Sequence, residues 1–77
     1  MWTVEFADAC TTQVRNMHRR VASAICASVI QFSQNGQGRI EWSGRDRIRL
    51  STRGAIADIR VDREQRRLMV IRLLAVS

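Results

Sequence analysis

The 77-residue chain contains no proline and no lysine, only one histidine and two cysteines, and 5% aromatic residues. Each shortage narrows the field. Without proline there is no proline-rich linker, and no repeat or low-complexity segment divides the chain, so a single domain over residues 1–77 is expected. Cys10, Cys26 and His18 show neither a C-x-x-C motif nor the spacing of a metal-ligand set, so no zinc site and no cofactor are expected. The longest apolar runs, Leu68–Ile71 and Leu73–Val76 around Arg72, fall far short of the ~20 residues of a membrane span. The N-terminus also lacks the basic-then-apolar pattern of a signal peptide. A cytoplasmic protein with reduced thiols is the expectation. With so few aromatic rings, aliphatic side chains must build the core.

The missing lysine makes every basic residue an arginine. Net charge is +6 and the pI near 11.5. A guanidinium group is a flat fork of donors matched to phosphate and carboxylate, so this balance suits a polyanionic partner. Hydrophobic residues reach 45%, enough for the chain to fold.

The informative stretch is RIRLSTRGAIADIRVDREQRRLMVIRLLAV, Arg47 to Val76. Ile48 and Leu50 alternate with Arg47, Arg49 and Ser51, as in a half-buried strand. Thr52-Arg53-Gly54 supplies a turn. Ala57, Ile59 and Val61 then alternate with Asp58, Arg60 and Asp62, and Asp62 to Arg66 forms a charged loop. Leu68 to Val76 is apolar on both faces except at Arg72, which predicts a central strand covered on both sides.

Upstream, Met1 to Phe6 predicts a first strand with Trp2, Val4 and Phe6 on one face, and Asp8 is the expected N-cap of a helix. Cys10, Val14, Met17, Val21, Ile25, Val29 and Phe32 fall at helical spacing from Ala9 to about Gln34. One straight helix of that length would run ~38 Å, against a diameter of about 30 Å for a compact chain this size. The alternatives are a break at Asn16-Met17-His18 or a projecting helix that pairs with a second copy. A break would let Cys10 and Cys26 face each other. Asn35 or Gly36 supplies the C-cap. Arg39 to Ser43 alternates as a strand, with Ile40 and Trp42 inward. The fold class is α+β: an N-terminal strand, a helix or helical hairpin, then a four-strand antiparallel meander, with a single layer of helix on the sheet.

No nucleophile motif and no paired catalytic carboxylates are visible; Asp58 and Asp62 are expected in structural ion pairs with Arg60 and Arg47. The arginines carry the functional expectation. Arg47, Arg49, Arg60 and Arg72 fall on one sheet face if pairing follows the alternation, with Arg39 at its edge. Such a cluster binds nucleic-acid phosphates in a salt-dependent way. Trp2 and Trp42, the candidates for base stacking, both fall on predicted core faces, which argues against that mode.

The chain resembles the RelE/ParE superfamily of bacterial toxin–antitoxin pairs. WTVEFADA is similar to the family's first strand running into its helix, and VRNMHRRVASAI to its helical hairpin, with Met17-His18 where Leu-Pro usually stands. RIRLSTRGAIADIRVDREQRRLMVIRL is similar to its meander and final strand. The resemblance implies a toxin-type protein binding RNA or the ribosome through arginines placed like Arg47 and Arg49. It also implies an acidic antitoxin-like partner and, if the chain is active, an endoribonuclease. Two departures bear on activity: Ala55 and Ile56 replace the family's aromatic and arginine after the turn glycine, and no basic, tyrosine-bearing segment follows the last strand. A non-catalytic interaction protein, a homodimer included, is the alternative.

Overall fold

A strand, a helical hairpin and four further strands make up the chain: β1 (Thr3–Phe6), α1 (Asp8–Asn16), α2 (Arg19–Asn35), β2 (Arg39–Trp42), β3 (Arg47–Thr52), β4 (Ala55–Asp62) and β5 (Arg67–Ala75). The computed structural model describes residues 2–76. Its five strands form one sheet in the order β1-β5-β4-β3-β2. Helix α1 lies over β5, and α2 over β3, β4 and β1. The helices share one layer.

The helix breaks where its length demanded. Met17 and His18 take extended backbone conformations, and His18 caps α2 by accepting the Arg20 N–H at Nδ1, 3.2 Å away. The two helices fold back on each other over the sheet, with a radius of gyration of 11.5 Å. Asp8 is not the N-cap. Ala7 holds that position without a side-chain bond, while Asp8 opens the helix, where its carboxylate favours the dipole. Gly36 ends α2 in the left-handed conformation (φ 72°, ψ 8°), its N–H donating to the Phe32 carbonyl at 2.9 Å.

Alternation in β3 and β4 sorts side chains as expected. Ile48, Leu50, Ala57, Ile59 and Val61 are buried under the helices with Ile25, Val29 and Cys10. The sheet is not wholly antiparallel, however, because β1 pairs with β5 in parallel, Thr3 beside Arg67 and Phe6 beside Val70. Nor is β5 covered on both sides. Leu68, Val70 and Leu73 are buried on the helix side, whereas Arg72 is exposed on the other. Strict alternation from Leu68 and Val70 would send Arg72 into the core. A β-bulge prevents this: Ile59 pairs with Val70 but Asp58 with Arg72, so Ile71 is the extra residue and the parity flips. Past Val70 the outer edge of β5 has no strand beside it, and the side chain of Gln13 accepts the Leu73 N–H there at 2.8 Å.

Candidate nucleic-acid interface

Strand register places the arginines. Residues paired across neighbouring strands point to the same face, so the ladder can be read row by row. One row on the uncovered face runs Glu41, Arg49, Asp58, Arg72; the next runs Arg47, Arg60, Met69, Glu5. A third runs Arg39, Ser51, Ile56, Leu74, and a fourth Asp62, Arg67, Thr3. All five expected residues, Arg39, Arg47, Arg49, Arg60 and Arg72, therefore share the open face, and all five are exposed. Arg67, which the sequence reading passed over, joins them. Its parity with Met69 was the available signal.

The charges on this face are only partly neutralised. The Arg49 Nε donates to Asp58 Oδ1 at 3.0 Å, and Arg67 Nε lies 3.5 Å from Glu5 Oε1. The expected pairs of Asp58 and Asp62 with Arg60 and Arg47 do not form. Register sets Asp58 beside Arg49, and the Asp62 carboxylate instead accepts the Gln65 N–H within the β4–β5 turn at 3.2 Å. Among the described residues, Arg39, Arg47, Arg60 and Arg72 have no carboxylate partner. Arg47, Arg49, Asp58, Ser43 and the bulged Ile71 border a hollow of about 240 Å³ on this face. Arg47 is the one arginine at this hollow without a counter-charge, while Arg39, Arg60 and Arg72 stand elsewhere on the same face.

The residues that follow the turn glycine do not add to this surface. Ala55 is buried under the helices, and Ile56 faces out between Ser51 and Leu74 in the row that Arg39 begins. His18 lies at the helix break, in the layer behind the sheet.

Two further features depart from expectation. Trp42 shares the core parity with Ile48 yet is 50% exposed, because α2 ends before reaching it. Arg63 fills part of the gap: its guanidinium lies 5.2 Å from the Trp42 ring centroid and donates to Asp46 Oδ1 at 2.9 Å. The thiols of Cys10 and Cys26 border one apolar groove between the helices with Phe6 and Val14, and both are free. Burial pushes both thiols above their ordinary pKa, which disfavours the reactive thiolate. No group of three or more histidine, cysteine or carboxylate side chains among the described residues is placed to hold a metal, and no helix there is long and apolar enough to cross a membrane.

Neither a protein-family model nor a curated protein sequence matches the chain. Solved structures do. The RelBE2 toxin–antitoxin complex of Mycobacterium tuberculosis contains a chain that superposes with a TM-score of 0.84 at 14% identity, covering 97% of this chain and 98% of that one. The isolated RelE toxin of E. coli superposes with a TM-score of 0.83 at 14% identity, covering 100% of this chain and 86% of its own. Likeness at such low identity lies in the arrangement of strands and helices, and the helical hairpin on a five-stranded sheet is that arrangement. The chain has a RelE-like fold.

Proposed function

We propose that this protein is the toxin-type member of a toxin–antitoxin pair and engages RNA, on or off the ribosome, through the open face of its sheet. The observation that carries the reading is the convergence of Arg39, Arg47, Arg60 and Arg72, without carboxylate partners, on that face. A fold similar to RelE toxins supports it. One of the two structures is a toxin–antitoxin complex, and a partner rich in Asp and Glu would complement the same positive face.

Binding is the core of the proposal, and cleavage is secondary. The open face carries Glu5, Glu41, Asp58 and Asp62 but neither histidine nor an arginine at Ile56, with Asp58 engaged by Arg49 and Glu5 by Arg67. Phosphate recognition has its residues there; a positioned acid–base pair does not.

Anisotropy of a labelled oligoribonucleotide tests the binding. Four phosphate contacts give a slope of log K against log salt of about −3, from ~0.7 per contact on a single strand. A slope near zero would remove the polyanion reading. Incubation with ribosomes and mRNA, followed by mapping of the cuts, tests cleavage. Cuts absent from an Arg47→Ala/Arg49→Ala control identify an endoribonuclease, and binding without such cuts identifies a binder.

A further inference from the structure

Three of the chain's four aromatic residues meet at one place. Trp2 arrives from ahead of β1, Phe32 from the last turns of α2 and Trp42 from the end of β2, and all three border a recess of about 470 Å³. That volume lies within the roughly 300–1,000 Å³ of small-molecule sites. It exists because Gly36 turns the chain away before α2 covers the end of the sheet. The recess is not simply apolar. Arg63 borders it, held over Trp42 by donating to Asp46 Oδ1 and to the Arg45 carbonyl at 3.0 Å. The same Arg63 borders a second hollow with Arg60 and Arg67, which Asp46, Asp62 and Glu64 also line. The aromatic recess and the arginine face thus meet at one side chain.

We infer that this recess seats one unstacked nucleobase of a single strand whose phosphates lie on the arginine face, the base stacking on Trp42 beside Arg63. The inference rests on the RNA-binding reading proposed above and adds where a base goes. Indole rings and guanidinium planes are the surfaces on which splayed-out bases stack, and the Gln34 amide at the rim offers a donor and an acceptor to a base edge. An acidic peptide would use Arg63 and leave the rings idle. A duplex keeps its bases paired and cannot fill the recess, which selects a single strand.

The chain holds two tryptophans and no tyrosine, and both tryptophans border the recess, so indole emission reports on this site alone. The test titrates the full chain with a labelled six-nucleotide oligoribonucleotide, reading label anisotropy and tryptophan emission together. An abasic strand of equal length and a glutamate-rich peptide run in parallel. The inference expects saturable quenching that tracks the anisotropy for the oligonucleotide, and none for the abasic strand or the peptide. Trp42→Ala, at a half-exposed position, should weaken oligonucleotide binding about fivefold or more with the salt slope unchanged, and Trp42→Phe should restore most of it. Anisotropy that rises without quenching would overturn the inference and leave the arginine-face reading standing. No rise in anisotropy would sink both. Equal quenching by the abasic strand or the peptide would also overturn it, since charge alone would then explain the signal.

Discussion

Arg47 and Arg60 stand directly opposite each other across β3 and β4, with no carboxylate partner for either among the described residues. Opposed like charges on paired strands repel, at a cost of a few tenths of a kcal/mol to about 1 kcal/mol. A fold under selection for stability alone would place opposite signs there. Arg60→Gln is therefore expected to raise the urea midpoint at low salt, by an amount that fades as salt screens the pair. The same variant should bind a polyanion more weakly. Opposite signs of the two effects, measured by denaturation and by oligonucleotide anisotropy, are the expected outcome.

Asp58 restrains this face. Asp58→Asn takes away the negative charge 3.0 Å from the Arg49 Nε and adds one net positive charge. Exposed pairs of this kind contribute about 0.2–1 kcal/mol, so stability should fall slightly. Polyanion affinity should rise and the salt slope steepen, both read from the same titration at two or more salt concentrations.

Much of this could be read before any coordinates. Alternation in β3 and β4, joined through the two-residue turn Arg53-Gly54, determines both parity and register, so Arg47, Arg49 and Arg60 had to share a face. Length left two outcomes, a break at Asn16-Met17-His18 or a projecting helix, and the break is the one that occurs. Arg72 reached the same face for a reason that alternation does not contain: the bulge at Ile71 reverses the parity of β5. Trp42 lies on the side its alternation predicts yet stays half exposed. How far a helix extends over a sheet depends on where it stops in space, and hydrophobic spacing carries no such measure. The parallel pairing of β1 with β5 joins distant segments and left no local trace.

Gly38 adopts φ 151°, and a Cβ there would meet the Leu50 Cδ1 at 2.9 Å. Leu50 is fully buried and cannot retreat freely. Gly38→Ala should cost about 1–3 kcal/mol in chemical denaturation, through strain and overpacking. Gly44→Ala, where the added carbon meets nothing, should stay within about 0.5 kcal/mol of the parent.

Gln13 closes the open edge of β5 by accepting the Leu73 N–H. Gln13→Ala leaves that donor partly buried without a partner and should destabilise the chain by about 1–2 kcal/mol. Hydrogen exchange at Leu73 should accelerate more than exchange at Leu50, which lies between paired strands.

The two thiols make stability depend on alkali. Both are raised above 9.0 in the folded chain by burial, so the fold favours the protonated form. Below that pH both states keep their protons and the contribution is complete. As pH rises past 9 the unfolded chain sheds protons that the folded chain retains, and stability should decline. Iodoacetamide should label the half-buried Cys26 before Cys10, whose labelling should follow global unfolding.

The pairing of β1 with β5 also orders events in time. Thr3 to Phe6 has its sheet neighbour at the far end of the meander, so it gains its strand partner only once Arg67 to Val70 has emerged. The helical hairpin and the β2–β4 ribbon can form from local contacts in the meantime. Closure of the sheet is then a single late event that joins both extremes of the chain, and Trp2 reaches the aromatic recess only at that step.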